Sequence, residues 1–242
     1  GKPAVCGQNP APESLVKHAE EIGAKLLMVQ QDFDFASMES VQWNYRFHPQ
    51  SSDGQSRNRN SLPFPALRGA YQLSNAACAL TVLECLNNQL PVDIGAIKRG
   101  LLLVENPGRF QVLPGRPLVV LDVGHNPHAA RALRRSLINL AFAQKRTAVF
   151  SMLSDKDIDG VLEIVKDQFD EWNIAPLDVP RGMTIEALQA KLAEHGIDNV
   201  NVFETVAAAY RAALAKATEN DRIVVFGSFH TVADVMAVLK EH

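Results

Sequence analysis

The sequence predicts an α/β protein whose C-terminal half forms a mostly parallel sheet covered by helices. After residue 106, strand-like and helix-like segments alternate five times. Two of the strand-like segments, 119–123 and 222–226, are short, largely apolar β-branched runs. Such runs are typical of parallel strands that are buried between two layers of helices. We therefore expect a Rossmann-like C-terminal domain.

Length and composition are those of an ordinary globular protein. The chain has 242 residues, of which 47% are hydrophobic and 21% are charged. At about 150 residues per domain, this length predicts one complete domain with part of another, or two small domains. A formal net charge of −3 gives no broad cationic field, which argues against nucleic acid or an anionic membrane as the partner. Small-molecule substrates are the favoured class.

Sequence features of membrane and secreted proteins are missing. No apolar run reaches the roughly 20 residues that span a bilayer, and the N-terminus does not resemble a signal peptide. The cysteines Cys6, Cys78 and Cys85 lack CxxC spacing, so neither a disulfide framework nor a zinc site is predicted. These observations favour a cytoplasmic protein.

The first hundred residues predict mixed α and β structure. The expected elements are a strand within 1–7, a helix over 12–23, strands at 26–29 and 43–47, a loop over 50–60, and helices over 72–86 and 92–102. The polar run 50–60 contains nothing to bury and is expected to be a mobile loop. The alanine-rich segment 72–86 is apolar almost all round and predicts a deeply packed helix.

The Asn-Pro-Gly sequence at 106–108 cannot continue a helix and marks the expected boundary between domains 1–106 and 107–242. The strands expected after it lie at 117–123, 146–151, 172–177, 199–203 and 222–226, and the helices at 127–142, 158–169, 184–195, 204–218 and 230–241.

Polar residues follow three of these strands, in the turns at 122–127, 152–157 and 227–231. Ligands of open parallel sheets bind beyond the carboxyl ends of the strands, so the three turns are candidate parts of one cleft. A local alternative remains open for each polar residue, because Asp122 could brace its own turn and others could cap helices. The candidate caps are Asn126, Asp157, Ser228 and Thr231.

Several ligand-binding motifs are absent from the sequence. No strand is followed by the Gly-x-Gly-x-x-Gly turn of a dinucleotide-dependent dehydrogenase, and no Gly-x-x-x-x-Gly-Lys-Ser/Thr cradle is present. The Gly-x-Ser-x-Gly elbow, the His-Glu-x-x-His zinc motif and the calcium loop are also absent. The residues alone therefore predict a polar strand-end cleft in an α/β domain that is attached to part of another domain.

Five segments resemble one enzyme family. They are Pro107-Gly108-Arg109-Phe110, the run 121–129 with its Asp-x-x-His-Asn-Pro, and the runs 152–157, 226–233 and 72–77. Together they resemble the dihydrofolate synthase/folylpolyglutamate synthase family of the Mur-ligase superfamily. In that family the Pro-Gly-Arg-Phe element joins the central ATPase domain to the Rossmann-like domain. Residues 1–106 would then be the C-terminal part of a P-loop-type α/β ATPase domain.

The resemblance also implies an upstream half that this chain does not include. Residues 1–5 are similar to the family segment that follows a metal-binding His and a modified Lys. The P-loop, the Mg²⁺ ligands and most of the pterin pocket are therefore expected upstream. No metal ligand is predicted within the chain, and the chain alone is expected to be inactive.

The activity that the resemblance implies is ATP- and Mg²⁺-dependent ligation of L-glutamate to dihydropteroate or folyl-(poly)glutamate, by a monomer. The acceptor carboxylate attacks the γ-phosphorus of ATP to form an acyl phosphate, and the amino group of glutamate displaces phosphate. Such chemistry needs positioning and charge neutralisation rather than a protein nucleophile. Closure of the domains about residues 106–108 would keep water from the acyl phosphate.

Roles for five residues follow from the resemblance. Arg109 is expected to bind the phosphates of ATP through a bidentate guanidinium, with an interdomain salt bridge as the alternative. Asn75 and Asp122 are expected to contact the nucleotide. His125 is expected near the reacting phosphate and glutamate, as a hydrogen-bond donor or a positioning group, and Ser228 is expected to help hold the incoming amino acid.

Two other functions remain open from the sequence. One is a muramyl-type peptide ligase of cell-wall synthesis, which would share the architecture, and the other is a non-catalytic nucleotide-binding module. The Gly-Ser-Phe-His-Thr-Val run at 227–232 favours the folate enzymes over the cell-wall enzymes. A non-catalytic module is distinguished by the absence of a P-loop in the reading frame upstream of Gly1.

Overall fold

The computed structural model describes residues 1–38, 41–49, 56–67, 69 and 71–241. The chain forms two compact units. The first comprises Gly1–Ala66 and Tyr71–Glu105, and the second comprises Leu67–Ala70 and Asn106–His242. Across the described residues, no helix is long and apolar enough to cross a membrane.

The first unit combines two small sheets with three helices. Its elements are β1 Pro3–Cys6, α1 Glu13–Glu21, β2 Lys25–Met28, β3 Phe33–Met38, β4 Gln42–Phe47, β5 Arg57–Pro63, α2 Gln72–Leu86 and α3 Ile94–Leu103. Strands β1 and β2 pair in parallel across α1, whereas β3, β4 and β5 form an antiparallel sheet. Aromatic residues of β3 and β4 pack with Leu80 of α2 in the core of this unit.

Two predictions for this unit are wrong in part. Residues 50–55 of the expected loop lie outside the described residues, but Arg57 begins strand β5. Arg57 and Arg59 alternate with exposed asparagines, and both arginines form salt bridges with Glu84 of α2, whose side chain is only 1% exposed. The salt bridges with this buried carboxylate explain why the polar segment forms strand β5. Helix α2 is buried along one face only, because Val82 on its other side is 43% exposed.

The second unit contains one six-stranded sheet with helices on both faces. Its elements are β6 Gln111–Leu113, β7 Leu118–Asp122, α4 Pro127–Ile138, β8 Arg146–Phe150, α5 Ile158–Val165, β9 Glu171–Ile174, α6 Ile185–Glu194, β10 Val200–Val202, α7 Val206–Lys216, β11 Arg222–Phe226 and α8 Phe229–Leu239. The strand order is β10-β9-β8-β11-β7-β6. All neighbours are parallel except β6 and β7. The predicted α/β fold with a mostly parallel sheet is confirmed.

The two faces of this sheet carry separate hydrophobic cores. Residues of α4, α5 and α6 pack on one face, and residues of α7 and α8 pack on the other. Helix α4 ends four residues earlier than predicted, at Ile138. Arg222 of β11 donates hydrogen bonds to the carbonyl oxygens of Leu137 and Ala141, and so satisfies groups that a longer helix would have used.

Strand register brings three strand ends to one place. Asp122, the last residue of β7, pairs with Phe226 of β11, and Phe226 pairs with Phe150 of β8. Because these strands are parallel and end at the same level, the segments that follow them share one edge of the sheet. The turns at 122–127, 152–157 and 227–231 begin at this carboxyl edge.

Candidate active site at the carboxyl edge of the second sheet

The turn after β11 fits closely against the end of β8. Gly227 has a φ of 110°, and a Cβ added there would lie 2.4 Å from the carbonyl oxygen of Ser151. Only glycine adopts this backbone conformation without strain and also leaves room for the neighbouring chain. The residue types in this turn therefore allow the strand ends to approach one another.

Asp122 braces the turn that carries Arg109. The N–H of Phe110 donates to Asp122 Oδ2 at 3.0 Å, and the N–H of Gly124 donates to Oδ1 at 2.7 Å. The N–H of Val123 also donates to the carbonyl oxygen of Gly108 at 2.7 Å. Gly108 and Phe110 both have positive φ, at 73° and 45°. The local alternative predicted for Asp122 is therefore seen in the structure, and it fixes the backbone of Arg109 against the end of β7.

Burial raises the pKa of the Asp122 carboxyl above its ordinary value, although several interactions act in the other direction. The N–H groups of Gly124 and Phe110 favour the carboxylate, as do the positive charge of Arg109 and the field of His125. Arg109 and His125 therefore both favour the charged form of Asp122, against the effect of burial.

The Arg109 side chain is exposed and makes no ion pair among the described residues. Its guanidinium carbon lies 5.5 Å from the centre of the Phe229 ring. That separation is within the range of a cation–π interaction. An unpaired guanidinium beside the strand ends is free to form bidentate hydrogen bonds with phosphate or carboxylate oxygens.

The His125 ring is oriented by one hydrogen bond and one aromatic contact. Nδ1 lies 2.8 Å from the carbonyl oxygen of Val123. Since a carbonyl oxygen accepts only, Nδ1 carries the proton, and Nε2 is the nitrogen left for a ligand. The imidazole centre is 6.0 Å from the Phe229 ring centre.

Ser228 caps helix α8, and its hydroxyl is fully engaged. It is 2% exposed and accepts a hydrogen bond from the N–H of Thr231 at 2.9 Å. The Thr231 hydroxyl donates to the carbonyl oxygen of Ser151 at 2.9 Å. It therefore has no second proton for Ser228 Oγ, 2.8 Å away, and the Ser228 hydroxyl must be the donor of that pair.

The structure thus brings together four of the predicted residues at this edge: Arg109, Asp122, His125 and Ser228. Asn75 belongs to the first unit, where it is exposed on α2 and its amide donates to Gln72 Oε1 at 3.3 Å. The acidic residues in the turn after β8 form local interactions. Asp157 caps α5, and Asp155 pairs with Arg181 at 2.9 Å.

Phe229 is the residue of this site that the sequence reasoning missed. Its ring is 56% exposed and contacts both Arg109 and His125. The available signal was its position, directly after Ser228 at the start of the helix that follows β11. Among the described residues no group of three or more His, Cys, Asp or Glu side chains could hold a metal ion.

Comparison with known proteins identifies the second unit. The family model of the Mur ligase glutamate ligase domain matches residues 108–229, half of the chain. The chain belongs to the Mur ligase family. The resemblance found in the sequence is therefore confirmed, and the matched Mur ligase domain contains Arg109, Asp122, His125 and Ser228.

Curated relatives and solved structures extend the Mur ligase match over both units. Dihydrofolate synthase/folylpolyglutamate synthase of Escherichia coli is 38% identical over 98% of this chain and 52% of the relative. A structure of Escherichia coli FolC in complex with DHPP and ADP has a TM-score of 0.83 and 37% identity, and the match covers 100% of this chain and 54% of that one.

A Yersinia pestis bifunctional folylpolyglutamate synthase/dihydrofolate synthase complexed with AMPPNP and Mn ion has a TM-score of 0.81 at 41% identity, covering 99% of this chain and 53% of that one. This Mur ligase chain spans about half the length of the relatives that it matches.

Proposed function

We propose that this chain forms the glutamate-ligating half of an ATP- and Mg²⁺-dependent enzyme that joins L-glutamate to dihydropteroate or to folyl-(poly)glutamate through an acyl phosphate. The observation that carries the proposal is the continuous match, over 98% of the chain, to a protein named for both synthase activities. The muramyl-type and non-catalytic alternatives have no comparable support. We further propose that residues 1–106 are the C-terminal part of the ATPase domain and that 107–242 form the ligase domain.

The second unit fits a polyanionic ligand at its carboxyl edge. Arg109 presents an exposed guanidinium that forms no ion pair with the described residues, and the hydrogen bonds accepted by Asp122 hold its backbone in place. When bound, ATP with its Mg²⁺ supplies the phosphoryl group that activates the acceptor carboxylate. Arg109 binds phosphate oxygens and neutralises their charge, which stabilises the transition state of phosphoryl transfer.

His125 acts at the amino group of the incoming glutamate or at the phosphate that it displaces. The Nδ1–H bond to Val123 leaves Nε2 as the working atom. A neutral imidazole accepts a proton there, and a protonated imidazole donates a hydrogen bond to an anion. Ser228 is proposed to help hold the incoming amino acid, through the first turn of α8 that its capping bonds fix.

Asn75 and Asp122 are proposed to contact the nucleotide. The Asp122 oxygens each already accept one backbone N–H, and a carboxylate oxygen has a second lone pair for a ribose hydroxyl or an amine. The Mg²⁺ ligands are proposed to lie in the part of the enzyme that this chain does not include. We propose a cytoplasmic monomer acting on small molecules, with neither nucleic acid nor membrane as a partner.

The test uses the full-length protein encoded by the reading frame that contains this chain. ATP-dependent incorporation of glutamate is measured with dihydropteroate and with a folyl-glutamate, each titrated separately against L-glutamate. Saturable ligation with either acceptor is expected, together with release of ADP and phosphate. Ligation only to a muramyl-peptide acceptor, or no ligation from a frame that lacks a P-loop, would overturn the proposal in favour of the corresponding alternative.

A further inference from the structure

Phe229 lies between two side chains of the candidate active site. A single exposed aromatic residue is common on protein surfaces and needs no explanation by itself. Here, however, the Phe229 ring is 5.5 Å from the guanidinium carbon of Arg109 on one side and 6.0 Å from the His125 ring centre on another. These two contacts, rather than its exposure, set Phe229 apart.

We propose that Phe229 is a positioning residue that holds the Arg109 guanidinium and the His125 imidazole in fixed places at the carboxyl edge. The inference rests on the proposed function, since it gives Arg109 a phosphate to bind. Phe229 acts through these two side chains and contacts no reacting atom.

The hydrogen bonds that fix the backbone of Arg109 do not fix the position of its guanidinium. The bonds of Phe110 N–H and Val123 N–H fix the turn around Arg109. The guanidinium lies beyond a flexible stem with several rotatable bonds, and ordering such a stem is opposed by its conformational entropy. Since Arg109 makes no ion pair among the described residues, the face of the Phe229 ring is the contact that restricts it.

The backbone that carries Phe229 is fixed by hydrogen bonds to the ends of two strands. Its neighbour Ser228 caps α8, and Thr231 joins the first turn of α8 to the carbonyl oxygen of Ser151 after β8. Phe229 thus follows β11 and is joined through Thr231 to the end of β8. Arg109 precedes β6, and His125 follows β7. The Phe229 contacts therefore join the segment after β11 to the turn before β6 and the turn after β7, which the sequence spacing of the residues does not reveal.

The first experiment compares Phe229→Leu with Phe229→Tyr in the full-length protein. Leucine keeps apolar volume but has no aromatic face, so we expect a roughly two- to fivefold rise in the KM for ATP. Tyrosine keeps the face and is expected to stay close to wild type. Phe142→Leu, which changes a 93% exposed phenylalanine after α4, is the matched control.

A double-mutant cycle separates positioning from general packing. If Phe229 acts through Arg109, then Phe229→Leu has no further effect on the KM for ATP in an Arg109→Ala background. An equal rise in both backgrounds contradicts the proposal.

A measurement that does not depend on activity uses the 242-residue chain. The Nε–H resonance of Arg109 is expected to be displaced by the ring current of residue 229 in wild type and Phe229→Tyr, and to return toward its free position in Phe229→Leu. The same resonance in all three proteins overturns the inference. A wild-type enzyme without ligase activity would contradict the proposed function. The spectrum would still show whether the Phe229 ring contacts Arg109.

Discussion

Arg109 and Asp122 lie at the same edge of the second sheet but differ in burial and in their interactions. Asp122 is half-buried, and its two oxygens accept the N–H groups of Phe110 and Gly124. Arg109 is exposed and its guanidinium has no carboxylate partner among the described residues. Substitution of Asp122 should therefore lower the stability of the fold, whereas substitution of Arg109 should impair activity with little change in stability.

Replacing Arg109 by alanine should impair ligation far more than folding. The variant loses its charge-assisted interaction with phosphate, and a total loss of about 1.5–3 kcal/mol corresponds to a roughly 10- to 100-fold fall in kcat/KM for ATP. The melting temperature should change little. Arg116→Ala removes another exposed arginine, paired with Glu219 at 3.7 Å, and should leave both quantities near wild type. A comparable loss of activity and melting temperature in Arg109→Ala would support a structural salt bridge instead.

Asp122→Asn should instead lower the free energy of unfolding. An amide has one acceptor oxygen, so its NH₂ group would face the N–H of either Phe110 or Gly124 and leave that donor unsatisfied. We expect a loss of about 1–3 kcal/mol by urea denaturation of this chain. Asp178→Asn, at an exposed carboxylate, is the control. Stability equal to wild type would show that the two hydrogen bonds accepted by Asp122 are not needed to hold the Arg109 turn.

At the scale of elements, local signals account for most of the second unit. Most of its strands are apolar runs, and α4, α5 and α8 begin at side-chain caps that the sequence identified, namely Asn126, Asp157 and Ser228. Strands β3, β5 and β6 were not predicted. The partner that stabilises polar β5 is the buried Glu84 of a distant helix, and β6 is a three-residue antiparallel neighbour of β7.

The same distinction applies to the candidate active site. The rule that ligands bind at the carboxyl ends of parallel strands was sufficient to select Asp122, His125 and Ser228. It could not show that Ser228 is buried with its hydroxyl engaged, or that Phe229 contacts Arg109. These facts depend on how the ends of β7, β8 and β11 lie beside one another, and strand register is a tertiary property.

The turn after β11 should be intolerant of any side chain at residue 227. Gly227→Ala places a Cβ 2.4 Å from the carbonyl oxygen of Ser151 at a φ of 110°, so both a clash and backbone strain oppose folding. Gly196→Ala has a positive φ of 69° with nothing within 4 Å, and isolates the strain, which costs about 1 kcal/mol. Calorimetry should show a larger fall in melting temperature for Gly227→Ala. Equal falls would mean that β8 and β11 separate without loss of stability.

For the molecule as a whole, surface carboxylates of the second unit are stabilised in their charged form. Hydrogen bonds from His195 and Lys191 lower the pKa of Asp159, a hydrogen bond from Lys166 lowers that of Glu163, and a hydrogen bond from Arg146 lowers that of Asp170. A carboxyl whose pKa is lower in the folded state stabilises the fold above its ordinary pKa. That stabilisation is lost as the pH falls through the folded value.

Asp170 provides the sharpest test of this acid sensitivity. Its carboxylate accepts the Nε–H of Arg146 at 3.0 Å, Nη2–H at 2.7 Å and the backbone N–H at 2.8 Å. Asp170→Asn should be less stable than wild type at pH 7. The difference should shrink as the pH falls below about 4, because the wild-type carboxyl is then protonated as well.

The measurement is urea denaturation of wild type and Asp170→Asn between pH 7 and pH 2.5, and the effect should be modest because the pair is partly exposed. Asp167→Asn is the matched control, since this exposed carboxylate lies three residues earlier and only its backbone carbonyl oxygen accepts from Arg146. A difference for Asp170→Asn that stays constant with pH would show that hydrogen-bond geometry, rather than charge, stabilises this edge of the sheet. A difference that shrinks on acidification would assign the stabilisation to the ion pair.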